Sequence, residues 1–138
     1  MCFFSICRGL QSFEIYYIDN LQIKNQIVKA SMDQEFIAEA PLLLVFCANP
    51  TRSSKYGKIA KLFSIQDATI ATSYAQLTAC ALGLSSVWVG AFNEEKVSTI
   101  LSLPDNIIPI ALLPIGYKDE EPQMKITRGS KEIVHGLK

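Results

Sequence analysis

The sequence has few of the residues that metal centres, nucleic-acid surfaces and membrane spans require. His135 is the only histidine, and the four cysteines form no closely spaced pair of the kind that zinc sites use. Charged residues make up 19% of the chain and the formal net charge is zero, so no electrostatic field favours nucleic acid or anionic lipid. No apolar run approaches the roughly 20 residues of a transmembrane helix. We therefore expect no metal site, no nucleic-acid partner and no membrane association.

Apolar residues, in contrast, are abundant, at 49% of 138 residues. A chain of this length suits a single domain over residues 1–138. This high apolar content predicts one of two arrangements. Either the core is unusually complete, or a second subunit covers an apolar face, most simply in a homodimer. Three of the four cysteines lie in apolar segments, which favours small core residues over disulfide partners and predicts a reducing cytoplasmic location.

The most informative stretch spans residues 64–93. Apolar residues at helical spacing predict one long helix. Ser64 and Asp67 have the spacing of an N-terminal capping box, and Gly83 stands where a left-handed C-cap would end the helix. A short buried strand follows, after which Gly90 and Ala91 lead towards another helix. We expect the functional chemistry at the end of this strand and the long helix at a subunit interface.

The remaining segments predict a sheet with helices packed on it, followed by an extended charged arm. Aromatic and branched residues, and two continuous apolar runs, indicate further strands, while Asn20 and Asn93 are suited to cap helices. Arg52 is interpreted as a solvated charge in a polar loop. The predicted boundaries are strands at 12–18, 42–48 and 107–115, helices at 21–30, 33–39 and 94–101, the loop at 49–57 and the arm at 118–138.

Several motifs, in this order and spacing, resemble the nitroreductase family. They are residues 34–41 (QEFIAEAP) before an apolar strand, residues 66–71 (QDATIA), residues 87–92 (VWVGAF), and residues 115–117 (IGY) before an arm that carries Arg128. The resemblance implies an α+β fold with a mostly antiparallel central sheet flanked by helices. It also implies bound flavin mononucleotide (FMN) and intertwined homodimers in which both subunits build each of two cofactor sites. Nothing before Gly9 resembles the family's opening helix and arginine-rich segment, so we expect an N-terminally truncated domain with weaker flavin affinity.

The resemblance also assigns cofactor-binding residues. Gly90 and Ala91 match the position where the family offers backbone N–H groups to the reactive edge of the flavin, with Val89 beside the ring. Arg128 matches a basic residue that holds the FMN phosphate, a role that suits a guanidinium fork. Gln11 matches a polar side chain near the flavin, although Gly9 stands where the family has an asparagine. The alternative interpretations are that Gly90 merely ends a strand and that Arg128 is a solvated charge.

Two functions follow from the resemblance. The first is an FMN-dependent oxidoreductase that passes hydride from NAD(P)H through the flavin to nitro compounds, quinones or similar small-molecule acceptors. It needs no catalytic side chain, because the flavin carries the reaction. The second is a non-catalytic, degenerate dimer with the nitroreductase fold and weak or no flavin binding, an alternative motivated by Gly9 and by the missing opening segment.

Overall fold

The computed structural model describes residues 9–119, 129 and 133–136. Arg128 and most of the predicted arm lie outside the described residues. The order of elements follows the predicted order of strands and helices. The elements are β1 (Phe13–Ile18), α1 (Leu21–Ala30), α2 (Phe36–Glu39), β2 (Leu42–Ala48), a 3₁₀ helix (Pro50–Ile59), α3 (Ala60–Ala81), β3 (Ser85–Ser86), α4 (Glu94–Ile100) and β4 (Ile108–Gly116).

In the described part of the chain, four strands form one antiparallel sheet in the order β1-β2-β4-β3. The pairing of β2 with β4 is interrupted between Phe46 and Cys47, where Phe46 faces Ala111 but Cys47 faces Pro109. Ile110 is therefore the extra residue of a bulge, which accommodates a proline in a central strand. The α+β fold with a mostly antiparallel central sheet, as predicted, is confirmed.

Helices cover both faces of this sheet. Successive residues of β2 point to opposite faces: Val45 and Cys47 pack with Ile27 of α1 and Val97 of α4, whereas Phe46 packs with Ala71 of α3. The continuous apolar run of β2 is explained by this arrangement, because each of its faces has its own helical layer.

The long helix α3 differs from the prediction at its start. It begins at Ala60 rather than Ser64, because residues 60–63 are good helix formers that continue directly from the 3₁₀ helix. The predicted capping box is wrong, since Ser64 and Asp67 are buried inside the helix. Ser64 Oγ donates to the Lys61 carbonyl oxygen at 2.8 Å, and an oxygen of Asp67 accepts from a distant backbone N–H. The helix ends as predicted, with Gly83 at φ +76°.

Smaller differences occur in the connecting segments. The predicted polar loop at 49–57 mostly forms the 3₁₀ helix, and the second short helix begins only at Phe36. Met32 and Asp33 both adopt positive φ angles, which prevents a helix from starting there. The caps are as predicted: Asn20 accepts hydrogen bonds from two backbone N–H groups at the start of α1, and Asn93 accepts one at the start of α4.

The second half of α3 leaves much of its apolar surface exposed. Leu77 and Leu82 are 65% and 72% exposed, and Cys80 is also on the surface. Beside them, an apolar groove of about 450 Å³ runs between α3 and the sheet. The groove is lined by Phe13, Ile15, Leu42, Leu44, Phe46, Ala71, Tyr74, Ala75, Thr78, Ala79, Leu82, Leu84 and Ile115. This surface is the part of α3 that a further chain could cover.

The end of β4 depends on close packing at Gly116. A Cβ atom at this position would lie 2.9 Å from Pro41 Cδ, which is closer than carbon atoms pack. We predict that Gly116→Ala lowers the free energy of unfolding by about 1–3 kcal/mol through overpacking. Urea denaturation of the variant measures this loss.

Gly136→Ala is the matched control for that measurement, because a Cβ atom at Gly136 would have no neighbour within 4 Å among the described residues. It should change the free energy of unfolding by less than about 0.5 kcal/mol. Equal stability of the Gly116→Ala protein and the unsubstituted protein would contradict the packing argument.

Candidate functional site

The segment after β3 carries three of the predicted cofactor-binding residues, two of which lie at the surface. Val89 is buried and exchanges two backbone hydrogen bonds with Leu112 of β4, at 2.9 and 3.0 Å. Gly90 and Ala91 then leave the sheet and are exposed. Because Val89 is fixed and the next two residues are open to solvent, a ligand can approach the backbone of Gly90 and Ala91.

The fold itself does not require a glycine at position 90. Its φ is not positive, and among the described residues a Cβ atom there would meet only the Trp88 indole, at 3.6 Å, which is an ordinary van der Waals distance. A side chain at this position would, however, stand between the backbone and an approaching ligand. This geometry is compatible with the ligand-binding role that the resemblance implies for Gly90.

Contacts from α1 and from the turn after it hold the chain immediately beyond Gly90. Gln34 Nε2 donates to the carbonyl oxygens of Ser31, at 2.8 Å, and of Ala91, at 3.3 Å. The backbone N–H of Asn93 donates to the Ala30 carbonyl oxygen at 2.8 Å. Sequence reasoning noted Gln34 only as part of a motif. It missed this contact because 57 residues separate Gln34 from Ala91.

Gln11 lies in a second exposed segment, just before β1. Its φ is +49°, a left-handed conformation that few residues other than glycine adopt. Arg52 Nε donates to the Leu10 carbonyl oxygen at 3.1 Å, and Asp67 Oδ2 accepts from the Ser12 N–H at 3.1 Å. The interpretation of Asp67 as a helix cap is therefore wrong. Arg52 is exposed, as a solvated charge is, but it also binds the segment that carries Gln11.

One copy of the chain does not bring Gln11 and Gly90 together. Val89 pairs with Leu112, Leu112 with Val45, and Val45 with Tyr16 of β1. Three strand spacings therefore separate the Val89 segment from β1, or about 14 Å across the sheet. The two groups of predicted residues lie at opposite edges of the sheet.

Two cavities of the described chain lie away from these residues. A cavity of about 680 Å³ opens between α2, β3 and the end of β4, and its wall includes Glu39, Ser86 and Tyr117. Neither this cavity nor the apolar groove beside α3 is lined by Gln11, Val89, Gly90 or Ala91. Within the described residues, no group of three or more histidine, cysteine or acidic side chains is placed to hold a metal ion.

Burial strongly changes the ionisation of one cysteine in the core. The pKa of Cys47 rises to about 12, first because the thiol is buried and second because Glu14 is nearby. A buried, protonated thiol is a poor nucleophile, so Cys47 is a core residue as predicted. Cys80, in contrast, is exposed on α3.

The raised pKa predicts that alkaline pH destabilises the protein. The unfolded thiol ionises near pH 9, whereas the folded thiol keeps its proton until about pH 12. The unfolded state therefore binds fewer protons in this range, and the free energy of unfolding falls as the pH rises. Urea denaturation between pH 7 and 10.5 measures this fall, which should be shallower in Cys47→Ala.

Cys80→Ala is the control, because its thiol is exposed in the folded protein. It should follow the unsubstituted protein across the whole pH range. An equally steep fall in the Cys47→Ala protein would show that other groups cause the alkaline loss of stability.

The architecture is shared with solved flavin oxidoreductases. The structure of an NADPH:FMN oxidoreductase from Vibrio harveyi, complexed with NAD+, superposes with a TM-score of 0.84 at 23% identity, covering 92% of this chain and 59% of that one. The protein is thus an α+β protein of the nitroreductase-like fold. The sequence profile of the nitroreductase family matches residues 10–117, which is more than half of the chain. The chain belongs to the nitroreductase family.

Individual relatives are similar at lower identity. An oxygen-insensitive NADPH nitroreductase from Salmonella typhimurium is 27% identical over 135 residues, covering 91% of this chain and 56% of the relative. An FMN reductase [NAD(P)H] from Bacillus subtilis is 27% identical over 140 residues, again covering 91% of this chain and 56% of the relative. The chain therefore spans little more than half the length of these relatives.

None of the helices in residues 9–119 is both long enough and apolar enough to cross a membrane.

Proposed function

We propose that this protein is an FMN-dependent oxidoreductase that passes hydride from NAD(P)H to nitro compounds, quinones or similar acceptors. The observation that carries the proposal is the exposed backbone of Gly90 and Ala91, fixed by the pairing of Val89 with Leu112 and by Gln34. Relatives with FMN reductase and NADPH nitroreductase activity in their names support the same chemistry.

The residues present fit a flavin at this position. When bound, FMN supplies the hydride chemistry, and the protein needs to orient the ring and exclude water. Backbone N–H groups at Gly90 and Ala91 can donate to the flavin edge that carries the hydride, which stabilises the reduced ring. The absence of a side chain at Gly90 permits the close approach that such hydrogen bonds require. Val89, anchored in the sheet, fixes the direction of this backbone.

The site would be completed by a second copy of the chain. Gln11 lies about 14 Å across the sheet from the Val89 segment, so the two groups would belong to different flavin sites within a homodimer. The exposed Leu77 and Leu82 and the apolar groove beside α3 provide a surface for such an interface. Burying this surface between two copies would account for the high apolar content of the chain.

The proposal also includes a residue for the FMN phosphate and a cellular compartment. Arg128 would bind the FMN phosphate through paired, charge-assisted hydrogen bonds. The enzyme would act in the cytoplasm as a single domain with an extended arm over residues 118–138. The free thiols of Cys47 and Cys80 are compatible with a reducing compartment.

The alternative is a non-catalytic member of the family with weak or no flavin binding. Gly9 favours it, because this position has no side-chain amide to offer a ligand. A Cβ atom there would meet no described residue within 4 Å, so the described fold does not exclude a side chain by contact. The two functions differ in one measurable property. That property is FMN binding in a fluorescence titration. A flavin enzyme takes up FMN and quenches its fluorescence, whereas the degenerate dimer does not.

Gly90→Ala tests the backbone site. The added methyl group has room beside Trp88, so the free energy of unfolding should change little. The same methyl group would stand against the flavin edge, and we predict that the FMN dissociation constant rises by about tenfold or more, the effect of losing one good hydrogen bond. Fluorescence titration with FMN measures the constant, and urea denaturation measures stability.

Thr99→Ala, at an exposed position of α4 whose hydroxyl bonds only within its own helix, is the control for both measurements. It should leave both quantities unchanged. If Gly90→Ala binds FMN as tightly as the unsubstituted protein, Gly90 does not contact the flavin. If the unsubstituted protein takes up no FMN, the oxidoreductase proposal itself is wrong.

Arg128→Ala tests the phosphate contact. Removing a charge-assisted hydrogen-bond donor should weaken FMN binding by about 1.5–3 kcal/mol, because the phosphate loses its bidentate partner. Isothermal titration with FMN, repeated with riboflavin, which lacks the phosphate, measures the loss. The riboflavin affinity should not change.

Lys125→Ala removes one positive charge from the same arm and is the matched control. It should weaken FMN binding much less than Arg128→Ala, because an ammonium acts only as a point charge. Equal losses in the two variants would indicate general attraction by the arm rather than a specific phosphate contact.

A further inference from the structure

Asp67 occupies an unusual environment for a carboxyl group. It lies in the middle of α3 and is fully buried, where neither helix propensity nor capping favours an aspartate. Burying such a polar group is costly unless it makes hydrogen bonds. Asp67 Oδ2 accepts from the backbone N–H of Ser12, which is 55 residues away in the sequence. The contact joins α3 to the segment that precedes β1.

The backbone on both sides of Gln11 is held by such contacts. Ser12 is fully buried, its N–H donates to Asp67, and its carbonyl oxygen accepts from the Asn49 N–H at 2.9 Å. On the other side, the Leu10 carbonyl oxygen accepts from Arg52 Nε at 3.1 Å. Residues 10 and 12 are thus anchored to the rest of the fold, while Gln11 between them remains exposed.

The anchoring explains the backbone conformation of Gln11. A residue other than glycine at φ +49° has an unfavourable conformation, which persists only where the surrounding structure imposes it. If either neighbour were released, the segment could relax to an extended conformation, and the Gln11 side chain would point in a new direction. Asp67 and Arg52 therefore contribute to the position of Gln11.

We propose that Asp67 and Arg52 are positioning residues that orient Gln11 towards bound FMN. This inference rests on the proposed function. Asp67 acts from the interior through the Ser12 N–H, and Arg52 acts from the surface through the Leu10 carbonyl. Substituting Asp67 or Arg52 should therefore weaken flavin binding only when the Gln11 side chain is present.

A double-mutant cycle tests this dependence. Asp67→Ala and Arg52→Ala are each made in the unsubstituted protein and in Gln11→Ala, and FMN dissociation constants are measured by fluorescence titration. In the unsubstituted background Asp67→Ala should weaken FMN binding by on the order of tenfold, because it leaves the buried Ser12 N–H unpaired. Arg52→Ala should weaken it less, because water can replace Arg52 at the exposed contact. In the Gln11→Ala background neither should weaken it further. Asp67→Asn, which keeps an acceptor oxygen for Ser12, should restore most of the affinity.

Hydrogen exchange of the Ser12 amide gives a readout that does not depend on flavin. Exchange should be faster in Asp67→Ala than in the unsubstituted protein and nearly normal in Asp67→Asn. Thr72→Ala is the structural control, because Thr72 is also fully buried in α3 but its hydroxyl donates within the helix, to the Ala68 carbonyl. It should lower stability without changing Ser12 exchange or FMN affinity. Lys55→Ala removes an exposed cation three residues after Arg52, so it controls for the loss of a positive charge in Arg52→Ala.

The outcomes separate this inference from the proposed function. If the unsubstituted protein binds no FMN, both are wrong. If it binds FMN, but Asp67→Ala and Arg52→Ala weaken binding equally with and without Gln11, their effect is structural and the inference alone is overturned. Should Asp67→Ala fail to fold, the exposed Arg52→Ala variant decides the question by the same criterion.

Discussion

The antiparallel pairing of β2 with β4 is the interaction on which the rest of the structure depends. These two strands are central, so they carry the apolar side chains of both helical layers. On one side, β2 pairs with β1, which begins just after Gln11. On the other, β4 pairs with β3 and, through Leu112, with Val89. Both parts of the candidate site are thus attached to one rigid centre, although they lie at opposite edges of the sheet.

The site is held by polar contacts that join segments distant in the sequence. Gln34 reaches Ala91, Asp67 reaches Ser12, and Arg52 reaches Leu10. In each case a side chain binds a backbone group next to an exposed residue, so the loop conformation is fixed without filling the space in front of it. An open but fixed backbone is what cofactor binding requires, because a flexible loop would have to be ordered when the ligand binds.

The sequence predicted the elements of this fold well because their signals are local. Apolar periodicity gave the core strands and most of the helices, while Asn20, Asn93 and Gly83 marked helix ends correctly. Two of the failures involve contacts between segments that are distant in the sequence. Ser64 and Asp67 have the spacing of a capping box, but tertiary packing places both inside a helix that starts earlier. Arg52 is indistinguishable from a solvated charge until the fold brings Leu10 beside it.

The candidate site could be predicted only through family resemblance, and the glycines illustrate why. Gly83 has a positive φ, and Gly116 packs against Pro41, so the fold alone explains both residues. Gly90 has neither constraint, yet in the sequence it is no different from the other two. The structure shows that neither a positive φ nor close packing explains the glycine at position 90. Contact with a ligand is an explanation that lies outside the chain. The FMN of the proposed function would provide such a contact, and the anchoring of Val89 and Ala91 on either side would give its approach a defined direction.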